Sequence, residues 1–114
     1  MKFLFLLVTI VIQSSSTLVT PKESVSLFES GITIVDVRTP EEFVEGSLPN
    51  ALNLSVTAST FKDEITKYDK TKPLYIYCHS GRRSARAAAK MKTLGFETIY
   101  ELKGGYVAWI EAGF

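Results

Sequence analysis

From Thr17 onward, short apolar runs alternate with stretches of helical character. That alternation is the signature of a parallel sheet covered by helices. Thr20-Pro21-Lys22-Glu23 reads as a capping box with Pro at the first helical position, and Gly31 is placed to end that helix. Ile32–Val37 (ITIVDV) is β-branched and mostly apolar, so it predicts a buried strand with Asp36 near its C-terminal end. Thr39-Pro40-Glu41-Glu42 repeats the capping signature for a short helix closed by Gly46, and Ala51–Leu54 predicts a short strand. Phe61–Tyr68 predicts a modest amphipathic helix with Phe61, Ile65 and Tyr68 on one face. Pro73–Tyr77 predicts a strand, and Ser84–Leu94 a strong helix stopped by Gly95. Thr98–Leu102 predicts the last strand, followed by a Gly104-Gly105 turn and a short helix through Trp109 to Ala112. No internal repeat or low-complexity linker interrupts this order.

The first residues follow a different pattern. Lys2 precedes Phe3–Ile12 (FLFLLVTIVI), apolar except for Thr9, and the polar Gln13-Ser14-Ser15-Ser16 comes next. That layout predicts a secretory signal over residues 1–16, with cleavage after Ser16 and a mature domain over 17–114. The run falls short of the about 20 apolar residues that a spanning helix needs, so no stable membrane anchor is expected after cleavage. The expected location is outside the cytoplasm, in a periplasm. The competing reading of Phe3–Ile12 is a buried β-strand.

Composition narrows the chemistry. The 114 residues are 46% hydrophobic and 22% charged, enough for one domain with a real core. A formal charge of +1, with no basic run interleaved with aromatics, argues against nucleic-acid binding. One Cys and one His exclude an internal disulfide and make a metal site improbable, so no cofactor is expected.

The remaining cysteine sits in an unusual place. Cys78-His79-Ser80-Gly81-Arg82-Arg83 links a predicted strand to a predicted helix, at the carboxyl edge of a parallel sheet where α/β proteins bind ligands. Backbone N–H groups converge there, the helix dipole is positive, and Arg82 and Arg83 add charge. All three favour a thiolate, and the same donors can hold an anionic substrate. Ser80 and Gly81 let the backbone turn inward. An inert buried cysteine is the bland alternative, but it needs neither Gly nor two Arg beside it.

Over nearly all of Thr17–Phe114 the sequence resembles the rhodanese family. The resemblance rests on Thr20-Pro21, Asp36-Val37-Arg38-Thr39-Pro40-Glu41-Glu42-Phe43, Gly46, Ala51 with Asn53-Leu54, the loop CHSGRRS, and the block from Leu102-Lys103-Gly104-Gly105 to Trp109, with Ala112-Gly113. With a signal segment, the likeness is to small periplasmic rhodaneses of the phage-shock type. It implies a doubly wound, mostly parallel α/β sheet with helices on both faces, a persulfide on Cys78, and a substrate cradle running from Cys78 to Arg83. It further implies that Asp36 and Arg38 form a polar network under the loop, with Asp36 pairing to a loop arginine. The chain departs from the family's common residues at Ser47 (often His), Asn50 (often Gly) and Ser55-Val56 (often Pro).

Within the cradle, Arg82 is expected to meet the substrate and Arg83 to turn toward the scaffold, with Ser84 supporting the loop. His79 is expected at the rim rather than as a general base, because an ionised thiolate needs none. Trp109 and Tyr106 are expected to pack the last helix, with Trp109 a possible pocket wall. The implied activity is thiosulfate sulfurtransfer to cyanide or another thiophilic acceptor, a small molecule or a protein thiol. One rival is a sulfur carrier with little thiosulfate activity. Another is a cysteine phosphatase or arsenate reductase, whose cradle places Arg at the sixth residue after the nucleophile. Here that residue is Ser84, and Arg83 comes one position early.

Overall fold

The computed structural model describes residues 3–7 and 15–114. The elements run β1 (Ser15–Val19), α1 (Pro21–Glu29), β2 (Thr33–Asp36), α2 (Pro40–Glu45), β3 (Leu52–Asn53), α3 (Phe61–Ile65), β4 (Leu74–Tyr77), α4 (Arg82–Thr93), β5 (Thr98–Leu102) and α5 (Gly105–Glu111). The strands form one sheet in the order β1-β5-β4-β2-β3, and every described pairing is parallel.

Side-chain alternation builds two cores, one on each face of that sheet. On β4, Leu74 and Ile76 face one way, into a cluster with Phe61 and Ile65 of α3 and Ala87, Ala88 and Met91 of α4. Tyr75 and Tyr77 face the other way, toward Leu27 and Phe28 of α1 and Trp109 of α5. With both faces covered, all four β4 residues are buried, which is why the segment reads as a continuous apolar run. The two tyrosines keep their hydroxyls satisfied: Tyr75 shares a 2.7 Å hydrogen bond with Ser24, and Tyr77 accepts the Leu48 N–H at 3.0 Å.

Both predicted capping boxes form. Thr20 and Thr39 each accept the backbone N–H three residues on, and Glu23 and Glu42 reach back to the cap backbone. Asn50 has φ +63, a left-handed conformation that Asn tolerates better than most residues.

Several boundaries move. The helix expected over Phe61–Tyr68 stops at Ile65, and Tyr68 packs against the core from the turn beyond it. The helix expected from Ser84 starts at Arg82, bringing both loop arginines into its first turn. Strand β1 was not anticipated; its Ser- and Thr-rich sequence is held by parallel pairing to β5 from Ser15↔Thr98 to Val19↔Leu102. Cleavage after Ser16 would remove the first two of those pairs. Phe3–Leu7 are exposed and carry no regular structure, unlike a buried strand, and residues 8–14 lie outside the described residues. Among the described residues no helix is long and apolar enough to cross a membrane.

Candidate active site

Cys78 follows β4 directly, and its side chain is buried where the strand meets α4. The turn that joins them depends on Gly81, whose φ of +117 lies in the left-handed region that favours glycine. That conformation points the Gly81 N–H at the sulfur, donating to Cys78 Sγ at 3.0 Å. On the other side, Sγ lies 3.6 Å from Ser84 Oγ, and the Ser84 hydroxyl donates to the Gly81 carbonyl at 3.0 Å. The sulfur thus accepts from the Gly81 N–H and itself faces the Ser84 oxygen, at the positive end of a helix.

The start of α4 is otherwise left open. Gly81 supplies no capping side chain, and the first turn holds Arg82 and Arg83 but no acidic residue. Two cations at a helix N-terminus oppose the macrodipole, so the sequence here works against local helix stability. Arg83 recovers some of that cost through Glu42 of α2, its Nη1 and Nη2 donating to the two carboxylate oxygens at 2.6 and 2.8 Å. This fork pulls the Glu42 carboxyl down to about 2 and raises the Arg83 guanidinium above its ordinary value. Arg82 is exposed, as are His79 and Ser80 at the rim of the loop.

Helix α5 locks the loop from behind. Tyr106 N–H donates to the Cys78 carbonyl at 2.8 Å, and Val107 N–H to the His79 carbonyl at 3.1 Å. Such close approach requires Gly105, because a Cβ there would stand 2.5 Å from the His79 carbonyl carbon and oxygen.

Beside the loop lies a cleft of about 320 Å³ lined by Arg38, Glu42, Glu45, Gly46, His79 and Tyr106. The Arg38 guanidinium sits 4.5 Å from the Tyr106 ring centroid and binds the Gly46 carbonyl. Its main partner is Asp36, through Nε at 3.0 Å to both carboxylate oxygens and Nη2 at 2.7 Å. Asp36 therefore does not pair with a loop arginine. Two positions along the same strand end, Arg38 reaches it first, and Glu42 takes Arg83 instead. Asn53 closes the network by donating Nδ2 to the Asp36 and Arg38 carbonyls at 3.0 and 2.9 Å.

Tyr106, not Trp109, walls the cleft. Trp109 is buried against Phe28 and stacks on Phe114 at 4.5 Å, on the core side of α5. Glu42 and Gly105 each have a local explanation in the sequence, as a capping-box member and a turn glycine, which hides their part in the site. The signal that was available for Glu42 was the pair of arginines without a nearby carboxylate in the sequence. Among the described residues no cluster of side chains is suited to a metal ion.

A parallel α/β sheet with a cysteine loop on a helix N-terminus places a candidate nucleophile at the edge where proteins of this class bind ligands. The Rhodanese-like domain family model matches residues 20–112, and the chain belongs to that family. Thiosulfate sulfurtransferase GlpE of Pseudomonas syringae pv. syringae is 34% identical over 89 residues, covering 78% of this chain and 82% of the relative. A sulfurtransferase of Allochromatium vinosum is 34% identical over 82 residues, covering 72% and 75%. Among solved structures, a rhodanese-related protein from Thermoplasma volcanium superposes with a TM-score of 0.76 at 28% identity, covering 86% of this chain and 94% of that one.

Proposed function

We propose that the protein is a thiosulfate sulfurtransferase that carries sulfane sulfur as a persulfide on Cys78. The observation that carries this reading is the Gly81 N–H aimed at Cys78 Sγ at 3.0 Å, at a helix start with no side-chain cap. In the first step the Cys78 thiolate attacks the outer sulfur of thiosulfate. A new S–S bond forms, the old one breaks, and its electron pair leaves on sulfite. In the second step cyanide or another thiophile attacks the outer sulfur of the persulfide, and the bonding pair returns to Cys78 as thiolate. Neither step consumes an external oxidant or reductant. Ser84 and the Gly81 amide hold the sulfur, Arg82 receives the donor's negative charge, and Arg83 is held aside by Glu42.

Loop length favours sulfur over phosphorus. Ser84, not an arginine, is the sixth residue after Cys78, and Arg83 just before it is already committed to Glu42, so the guanidinium nearest the phosphatase position is not available to fork onto a phosphoryl group. The names of the two sulfurtransferase relatives support the same choice, although one structural neighbour, from Rhodopseudomonas palustris, is described as a possible tyrosine phosphatase.

The test is a mass spectrum of protein treated with thiosulfate and kept free of reductant. We expect about 32 Da added to the Cys78 peptide, and Cys78→Ser to lose both the added mass and thiosulfate:cyanide activity. Activity persisting in that variant overturns the reading. The added mass without cyanide turnover would point to a carrier, and aryl phosphate hydrolysis faster than sulfur transfer would point to a phosphatase. Export by residues 1–16 belongs to the same proposal, supported by Lys2 and the apolar run after it. A mature N-terminus near Thr17 is expected, and Met1 retained in the native cell would overturn it.

A further inference from the structure

A groove of about 540 Å³ lies between α3 and α4, on the face of the sheet opposite the one that Tyr106 packs against. Its floor is formed by Val56 and Phe61, both buried in the core, and by the half-buried Leu94, and its rim carries Lys62, Arg86 and Lys90, with the Lys90 ammonium 5.9 Å from the Phe61 ring centroid. No carboxylate lines it. All three cations are exposed, and among the described residues none enters an ion pair. Arg82, Arg86 and Lys90 recur every four residues, so they share one face of α4 and lead from the mouth of the cysteine loop into the groove. At 1.5 Å per residue, Arg86 is only about 6 Å along the helix axis from Arg82. The groove reaches the sheet's carboxyl edge as well, because Val56 bonds back to the Val37 carbonyl at 3.1 Å and belongs to the same cluster as Cys78. A chain of formal charge only +1 has therefore concentrated uncompensated positive charge on one face, next to its reactive loop.

We propose that this groove docks an acidic, amphipathic segment of a protein that takes sulfur from Cys78, an inference that rests on the sulfurtransferase reading. Apolar side chains of the partner meet the half-buried Leu94, its carboxylates meet Lys62, Arg86 and Lys90, and its thiol is thereby delivered past Arg82. The partner's thiolate attacks the outer sulfur of the Cys78 persulfide, an S–S bond forms on the partner, and the pair from the broken bond returns to Cys78. Three cations spread along one groove suit a peptide segment better than a single small anion. No aromatic ring is exposed along the stripe for base stacking, which disfavours a nucleic acid.

The test uses labelled 12-residue peptides of alternating Leu with Glu, Gln or Lys, without cysteine, bound to the full-length protein and followed by fluorescence anisotropy. The Glu peptide is expected to bind at least about tenfold more tightly than the Gln peptide at low salt, with the advantage lost at high salt. Arg86→Glu with Lys90→Glu should abolish the preference, and Arg86→Gln with Lys90→Gln should halve it or more, while thiosulfate:cyanide activity stays unchanged in both. With a C-terminal cysteine added, the Glu peptide should also be the faster sulfur acceptor. Equal binding of the Glu and Gln peptides overturns the proposal, as does a preference that survives both variants. Tighter binding of a single-stranded oligonucleotide, or self-association of the protein that the variants abolish, overturns it in favour of those occupants. Because anisotropy needs no sulfur chemistry, failure of docking and failure of the sulfurtransferase reading are separately visible.

Discussion

Helices α2 and α4 both leave the carboxyl edge of the sheet after a central strand, yet they begin in opposite ways. The α2 start is locally complete: Thr39 caps it, Pro40 fills the first position, and Glu41 and Glu42 complement the dipole. The α4 start has no cap, a left-handed glycine and two arginines. One is built for stability and the other leaves its donors for a sulfur atom. The pair is also coupled, since the Glu42 that completes the α2 cap is the carboxylate that holds Arg83. An N-terminus that breaks the local rules is stable here because its neighbour satisfies them with charge to spare.

The sharpest way to break the contrast is Gly105→Ala. Its methyl would meet backbone atoms of His79 and Cys78 within 2.7 Å, at a φ of +65, and backbone cannot swing aside as a side chain can. We expect a loss of about 3 kcal/mol or more in denaturant unfolding, together with displacement of the cysteine loop. Gly81→Ala is the cleaner probe, because a methyl there meets nothing within 4 Å and the cost is conformational alone. Stability should fall by about 1 to 2 kcal/mol. Sulfur transfer should fall by about tenfold or more, since relaxing φ turns the N–H off Sγ. A variant that keeps full activity with φ relaxed would show that this donor is dispensable.

Glu42→Gln tests the coupling between the two helices. The pair is partly exposed, so a stability loss of about 1 kcal/mol is expected. The folded carboxyl is held near 2, below its ordinary 4.5, so proton uptake accompanies unfolding. The contribution is complete above pH 4.5 and disappears as pH falls toward 2. The gap between wild type and variant should therefore close across that window, and a gap that stays constant with pH would mean the ion pair contributes nothing. Freed from Glu42, Arg83 should also change the KM for thiosulfate more than kcat. The smallest effect is expected from Thr20→Ala, the matching cap on α1, which follows a strand two places from β4 in the sheet. About 1 kcal/mol of stability should be lost with unchanged sulfur transfer.

Much of this protein is settled by local chemistry and is therefore legible in its sequence. The Thr-Pro-x-Glu caps, the apolar run of β4, the glycine before α4 and the cysteine between them each act over a few residues, so identity and spacing suffice to place them. Strand β1 was not legible, because its Ser- and Thr-rich residues form a strand only when β5 offers a ladder. Nor were the partners of the charged groups. Which carboxylate takes Arg83, which aromatic ring faces Arg38, and which glycine lies against the loop depend on elements far apart in sequence being brought into contact. Those choices are made by the order β1-β5-β4-β2-β3, which sets α2 and α5 on either side of the cysteine loop. A side chain's local pattern fixes its element and facing, but its partner is decided by competition among all the groups the fold delivers to the same edge.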